Sequence, residues 1–159
     1  MAQRLALPAV QLIVLALWIG AAVFFSAAVA PALFRVLPSR ALAGVSVGAM
    51  LPVVFYTGII AGLILLASEL SRGGWHWSGG VVAAIVMILS CGIAQLVIGP
   101  RIARVRDAIA GPVDELAATD PRRIAFGRLH GMSVAWLGIA ILAAVVALVL
   151  ATRELHPRR

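Results

Sequence analysis

His130 is the side chain of this sequence best suited to chemistry at a membrane, because it stands just ahead of a long apolar run. It occurs in the stretch FGRLHGMSVAW, residues 126–136. An imidazole titrates near neutral pH, ligates metal ions and haem iron, and both donates and accepts hydrogen bonds. Ionisable groups inside a membrane are costly and are functional candidates by default. The role of His130 therefore depends on which other polar groups lie at its depth.

Three further polar side chains are predicted at the depth of His130. Ser26 lies in the second half of the first apolar segment, Gln95 near the end of the third, and Ser133 three residues beyond His130. Burying such groups without partners costs on the order of several kcal/mol each, so they should bond one another, a backbone carbonyl or water. The expected polar intramembrane cluster comprises Ser26, Gln95, His130 and Ser133. His130 is then either a structural residue that ties two helices together, or a ligand, proton-handling or substrate-contact residue.

The composition places the chain in a lipid bilayer. The sequence has 159 residues, the size of one domain, of which 63% are hydrophobic and 12% are charged. Soluble domains have about 45–50% apolar and about 25% charged residues, and a soluble fold of this length could not hide the difference. Residues 1–159 are therefore interpreted as a single integral membrane domain.

Charge and cysteine content exclude several classes of partner and site. All 13 basic residues are arginines, and they are scattered among loops and helix ends without a basic face. Such a pattern is typical of membrane-flanking charge and not of nucleic-acid binding. The one cysteine, Cys91, cannot form an intramolecular disulfide or a cysteine-based metal cluster.

Four apolar segments predict four membrane-spanning helices. Each is longer than the roughly 20 residues needed to cross about 30 Å of hydrocarbon. The third continues as an amphipathic extension, and the fourth starts at Pro121 with Asp120 as its N-cap. The fold class is therefore all-α, a four-helix transmembrane bundle with helices at roughly 9–34, 42–70, 79–106 and 121–152.

Glycine and proline are expected to shape these helices. Helices in lipid associate where small residues let their backbones approach. On the fourth helix Gly127 and Gly131 share one stripe, so His130 at its edge should face other helices and Trp136 should face lipid. Pro31 and Pro52 lie inside apolar runs and should kink their helices. The glycines predicted at helix contacts are Gly20, Gly44, Gly48, Gly58, Gly62, Gly92, Gly99, Gly127, Gly131 and Gly138.

The distribution of arginine predicts the orientation. Eight arginines lie in or beside the first and third loops, and five lie in the termini and the middle loop. Because cytoplasmic loops carry the excess of positive charge, both termini should be outside. Trp75 and Trp77 should form an aromatic belt at that surface, and Glu69 should be an interfacial charge there. Arginine without lysine is typical of a GC-rich bacterium, which predicts the bacterial inner membrane with periplasmic termini.

Motifs of catalysis are missing from the sequence. It contains no nucleophile elbow, phosphate-binding loop or HExxH motif, and its carboxylates lie in loops or at interfaces. His76 and His156 are predicted on the face opposite His130, which disfavours a haem held by two histidines. The protein is therefore expected to be non-enzymatic, and the sequence does not identify a cofactor.

Two stretches carry a family resemblance. ALWIGAAVFFSAAVAPALF (16–34) and FGRLHGMSVAWLGIAIL (126–142) resemble the transmembrane-protein-205-like family of small four-helix membrane proteins. The matching features are Trp18 with Gly20, the Ala30–Pro31 step before Phe34, and Leu129–His130 with Ser133. This resemblance implies a four-helix fold and no particular activity.

Abundant packing surface with little intramembrane chemistry favours an accessory or stabilising subunit of a larger membrane protein assembly. Its expected partners are the bilayer and other membrane protein subunits. Two alternatives stay open: a haem- or metal-handling protein centred on His130, and a small-molecule permease that works as an oligomer.

Overall fold

Four helical spans account for most of the chain, of which a computed structural model describes residues 2–73, 77–109 and 111–155. Span 1 consists of α1 (Ala2–Phe24), a first π-helical segment (Phe25–Val29) and α2 (Ala30–Val36). Span 2 is α3 (Arg40–Gly73). Span 3 consists of α4 (Gly79–Gly92), a second π-helical segment (Ile93–Ile98) and α5 (Gly99–Asp107). A short 3₁₀ turn (Val113–Glu115) precedes span 4, which is α6 (Pro121–Leu155).

Each span is long and apolar enough to cross a membrane, over Ala9–Val36, Arg40–Arg72, Gly79–Asp107 and Pro121–Arg153. At a rise of about 1.5 Å per residue, these segments are roughly 42–50 Å long, which exceeds the about 30 Å hydrocarbon thickness. The spans therefore tilt or project beyond the bilayer. The described residues contain no β-strand. The prediction of an all-α, four-helix transmembrane bundle is confirmed.

Consecutive spans run antiparallel and pack side by side. Between spans 2 and 3, Glu69 lies against Gly80 near one end, and Gly58 lies against Cys91 further along. Residue numbers thus fall along one span as they rise along the other. Span 1 packs against spans 2 and 4, and span 3 packs against the same two, so the bundle is a ring in chain order. This is the up-down-up-down arrangement of a four-helix bundle.

Alanine fills most of the interior of the bundle. A few large side chains are buried with it, among them Leu15, Trp18, Phe55 and Met87. Small residues let helix backbones approach closely in lipid, and alanine does so without the loss of helix propensity that glycine brings. The buried alanines are Ala22, Ala43, Ala61, Ala83, Ala84, Ala94, Ala140, Ala143, Ala144, Ala147 and Ala151.

Glycine contributes to this packing at fewer positions than predicted. A Cβ added at Gly58 or Gly62 would come within 3 Å of a neighbouring span, so both glycines lie at close helix contacts. One at Gly48 would lie 3.4 Å from the Arg106 side chain. At Gly99 it would lie 3.5 Å from a carbonyl oxygen of its own span. The prediction of contacts within the chain is wrong for Gly20, Gly44, Gly92, Gly127, Gly131 and Gly138, where no heavy atom lies within 4 Å.

Span 4 is turned about half a revolution from its predicted orientation. Its buried stripe consists of Ser133, Leu137, Ala140, Ala144, Ala147 and Ala151, with Ala143 at the edge. At about 100° per residue, Gly131 lies about 160° from Ser133, so the glycine stripe faces outward. Trp136, predicted to face lipid, is half-buried and packs against the core. Alanine methyl groups supply the contacts that a stripe of glycines would leave empty.

Both π-helical segments stand directly before a proline. Pro31 and Pro100 each follow a residue whose N–H donates to the carbonyl five positions back. A proline ring clashes with the carbonyl four positions back, and a widened turn accommodates it. The π-turns before Pro31 and Pro100 were not predicted, and the kink predicted at Pro31 stays a prediction. Helix α3 continues through Pro52 from Arg40 to Gly73, and a kink there stays a prediction.

Asp120 caps the start of span 4. Its Oδ1 accepts a hydrogen bond from the backbone N–H of Arg122 at 2.8 Å. The Arg122 guanidinium donates to both carboxylate oxygens, at 3.1 and 2.8 Å. These bonds, that from the side chain above all, lower the pKa of Asp120 to about 2. The first helical residue is Pro121, where the predicted cap placed it.

Candidate functional site

The predicted polar cluster does not form. Ser26 is exposed, and its hydroxyl donates to the carbonyl of Ala22 in its own span at 2.8 Å. Gln95 is half-buried in the second π-helical segment, whereas Ser133 is buried in the bundle. Within the described part of the chain, no hydrogen bond joins any two of Ser26, Gln95, His130 and Ser133.

His130 is exposed, so the prediction that it is enclosed between helices is wrong. Its ring stacks on Phe126, with 6.3 Å between centroids and 2° between planes. Around the helix it lies about 60° from Ser133 on the buried stripe and about 60° from Gly127 on the outward one. It also lies only two residues beyond Arg128, near the end of the bundle, where even Phe126 is only half-buried. Too few neighbouring side chains reach this level to cover the imidazole.

A different buried polar cluster occupies the opposite end of the bundle. We call it the Glu69 network, and it comprises Gln11, Glu69, Arg72 and Ser78. Gln11 comes from α1, Glu69 and Arg72 from α3, and Ser78 from the residue before α4. Gln11 is 1% exposed and Glu69 is 9% exposed, so an amide and a carboxylate are buried where three spans meet.

Hydrogen bonds use both carboxylate oxygens of Glu69. Its Oε1 accepts from the Gln11 amide at 3.2 Å and also from the Arg72 guanidinium. Its Oε2 accepts from the Ser78 hydroxyl at 3.1 Å. The Arg72 guanidinium also donates to the side-chain amide oxygen (Oε1) of Gln11 at 3.0 Å. The carboxylate and the guanidinium neutralise each other, and each bond to Gln11 or Ser78 links two spans.

The start of span 3 is built to admit this carboxylate. Ser78 is the N-cap of α4, and its Oγ accepts from the backbone N–H of Val81 at 3.1 Å while donating to Glu69. Side chains of this type are favoured at helix N-caps because they satisfy an otherwise unpaired amide. A Cβ at position 80 would lie 2.5 Å from the Glu69 carboxyl carbon, so only Gly80 leaves the necessary space.

Sequence reasoning assigned Glu69 to the interface and did not single out Gln11. Glu69 does lie near the end of span 2, but it is buried by its partners. One signal pointed to them: Gln11 is an isolated amide in the apolar run from residue 9 to residue 25. An amide in such a run requires a hydrogen-bond partner, and Glu69 is the carboxylate at the matching level.

Comparison with known proteins gives one match. A family model described as "Domain of unknown function (DUF4149)" matches residues 13–110, more than half of the chain. The chain belongs to the DUF4149 family. No curated protein and no solved structure matches this DUF4149 chain.

The DUF4149 match covers much of the Glu69 network and ends before span 4. Glu69, Arg72 and Ser78 lie inside it, and Gln11 precedes it by two residues. The stretch 126–142, with His130, lies outside it. What is shown is therefore membership of the DUF4149 family, and kinship with the transmembrane-protein-205-like family stays a prediction.

In this DUF4149 protein the Glu69 network joins three spans by hydrogen bonds. Every polar atom of the Glu69 carboxylate is occupied by a donor from the same chain. Buried polar groups that are fully hydrogen-bonded rigidify and specify a core. Beside the network, the buried Ser68 hydroxyl has no hydrogen-bond partner among the described residues. The described residues also contain no group of three His, Cys, Asp or Glu side chains placed to hold a metal ion.

The predicted aromatic belt is described in part. Trp77 is 73% exposed, at the end of the bundle that holds the Glu69 network. Trp75, His76 and His156 lie outside the described residues, so their predicted positions stay predictions.

Proposed function

We propose that this DUF4149 protein is a non-enzymatic accessory or stabilising subunit of a larger membrane protein assembly. The observation that supports the proposal is the outward glycine stripe of span 4. Gly127, Gly131 and Gly138 lie within about 40° of one another around the helix. None of them has a heavy atom within 4 Å of the position that a Cβ would take.

Such a stripe is suited to a helix of another protein. Each glycine in a helix costs up to about 1 kcal/mol relative to alanine, and lipid gains nothing from the missing side chain. Close approach of a second backbone does gain from it, because the association of helices in membranes depends on van der Waals contact at small residues. Exposed apolar side chains, Val134 and Leu142 among them, continue the same face.

His130 and Phe126 supply a second feature at the edge of this face. Their stacked rings present an aromatic surface and an imidazole beside Gly127. A polar group of this kind adds an interhelical hydrogen bond to a contact made mainly by packing. The predicted role of His130 thus moves from the interior of this chain to its contact with a partner.

Gentle extraction from the native membrane followed by blue-native electrophoresis tests the proposal. The wild-type chain should migrate in a species heavier than the detergent-solubilised monomer. The Gly131→Leu variant should migrate as a monomer, because the added side chain prevents close approach of a partner helix. Ala67→Leu, an equally bulky change at an exposed position of span 2, is the matched control and should leave the species intact.

Other outcomes favour other functions. A wild-type chain that migrates as a monomer, or a complex that survives Gly131→Leu, contradicts the accessory-subunit proposal. A Soret band or stoichiometric metal that is lost in His130→Ala would favour haem or metal handling by the exposed imidazole. A homo-oligomer without other subunits would favour the oligomeric permease.

Location and orientation belong to the same proposal. The four apolar spans indicate a lipid bilayer. We infer the bacterial inner membrane because all 13 basic residues are arginines and none is lysine. We infer that both termini lie in the periplasm because arginine is in excess around the first and third loops. The arginine-rich end would then face the cytoplasm, and the Glu69 network would lie near the periplasmic surface.

A further inference from the structure

A groove between spans 3 and 4 combines positive charge with an apolar floor. It has a volume of about 550 Å³ and lies between the end of α5 and the start of α6. Arg101 and Arg128 line it from the two spans, and Ile124, Leu129 and Met132 line it with apolar surface. Two arginines thus line one groove together with side chains suited to hydrocarbon.

The two arginines lie at matching depths. Arg101 is six residues before the end of span 3 at Asp107, and Arg128 is seven residues after the start of span 4 at Pro121. Because these spans run antiparallel, each arginine lies roughly 9–11 Å along its helix from the same end of the bundle. The spans exceed the hydrocarbon thickness by roughly 6–10 Å per side when the excess is shared equally, so both arginines then lie close to one edge of the hydrocarbon.

Neither arginine is neutralised within the described part of the chain. The ion pairs there join Arg72 to Glu69 and Arg122 to Asp120. Arg101 and Arg128 are both exposed, and no carboxylate lies within ion-pair distance of either. The same end also carries exposed acidic residues, at Asp107, Asp114 and Glu115, but these do not line the groove.

We propose that this groove binds one anionic phospholipid. The phosphate would lie between the guanidinium groups of Arg101 and Arg128, which bind phosphate oxygens in a bidentate manner. An acyl chain would follow the apolar floor formed by Ile124, Leu129 and Met132. Basic pockets between transmembrane helices on the cytoplasmic side are suited to such lipids. The site does not depend on the glycine stripe or on the proposed assembly.

Native mass spectrometry of the full chain, released from nanodiscs that contain equal amounts of phosphatidylglycerol and phosphatidylcholine, tests this site. The wild-type protein should retain one phosphatidylglycerol in preference to phosphatidylcholine. The double variant Arg101→Gln/Arg128→Gln should retain it at least roughly tenfold less. The matched control is Arg35→Gln/Arg40→Gln, which removes the same charge at the same end but outside the groove, and it should change retention by less than about threefold.

A second readout covers the case in which a variant does not fold. A photoreactive phosphatidylglycerol added to the wild-type protein should label the peptide that contains residues 121–132. The site is overturned if the two double variants lose lipid equally, if both lipids are retained alike, or if labelling falls elsewhere. Displacement of the lipid by millimolar inorganic phosphate would also overturn it, because a free anion would then be the preferred occupant.

Discussion

At the scale of single residues, Glu69 is a buried carboxylate with hydrogen-bond donors from several helices. Both of its oxygens are hydrogen-bonded, and its donors come from three spans. A charge buried in this way contributes to stability only while its partners remain. The Arg72 side chain keeps 24% of its surface exposed, whereas that of Glu69 keeps 11%. The guanidinium therefore lies at the edge of the network and the carboxylate lies inside it.

Removal of this carboxylate should destabilise the bundle. Glu69→Ala leaves the N–H of the Gln11 amide buried without its acceptor and removes the Glu69–Arg72 ion pair, which should lower the free energy of unfolding by about 2–3 kcal/mol. Reversible unfolding of the purified protein in mixed micelles measures the change. Glu115→Ala, at an exposed loop position, is the control and should change stability by less than about 0.5 kcal/mol. Equal stability of the two variants would show that the network does not contribute to the free energy of unfolding.

At the scale of helices, Gly58 lies at a close contact of three spans. A Cβ at this position would lie 2.6 Å from the Cys91 sulfur and 2.8 Å from the Trp18 ring. Both neighbours are buried, and the Trp18 Nε1–H donates to the carbonyl of Val54 at 3.0 Å, which fixes the ring. Spans 1, 2 and 3 therefore depend on the absence of a side chain at Gly58.

A pair of alanine substitutions on the same helix tests this contact. Gly58→Ala should lower the free energy of unfolding by about 1–3 kcal/mol, because the added methyl group overpacks a core that cannot shift. Gly44→Ala should be neutral or stabilising by up to about 1 kcal/mol, because nothing lies within 4 Å of its Cβ position and alanine favours the helix. Unfolding in the same micelles measures both. The contact is refuted if Gly58→Ala is as stable as Gly44→Ala.

At the scale of the whole molecule, the two ends of the bundle differ in charge. One end holds the Glu69 network, in which Arg72 pairs with Glu69. The other end has the two loops around which eight of the 13 arginines are placed. The helix ends at this second surface include Arg35 in α2 and Arg104 and Arg106 in α5. By the positive-inside rule, this asymmetry favours the proposed orientation, with the arginine-rich end in the cytoplasm.

Reporter fusions check this orientation. Alkaline phosphatase fused after residue 159 should be active, and green fluorescent protein fused there should be dark, because the first reporter works outside the cytoplasm and the second inside it. Fusions placed after residue 117, in the third loop, should show the opposite pattern. Fluorescence from the C-terminal fusion would contradict the proposed orientation, because it would show that the arginine-rich end lies in the periplasm.

The features that the sequence determined by itself are local ones. The four spans follow from runs of apolar residues, and hydropathy over such a run does not depend on any contact. The start of span 4 follows from Asp120 and Pro121, whose side chains act on adjacent backbone groups. The bilayer location and the all-α class also follow from the apolar runs, because a helix in hydrocarbon must form its backbone hydrogen bonds internally.

The direction that each helix faces was decided only by the tertiary structure. Span 4 carries an alanine stripe and a glycine stripe on opposite sides, and both have the spacing of a helix contact. Which stripe faces the interior depends on the neighbouring spans. The alanine stripe packs against them because its methyl groups fill the interior. This choice turns the glycine stripe outward, whereas His130, about 60° from both stripes, is exposed because it lies near the end of the bundle. The Glu69 network depends on tertiary structure for the same reason, since Gln11 and Glu69 are 58 residues apart and meet only when the spans are packed.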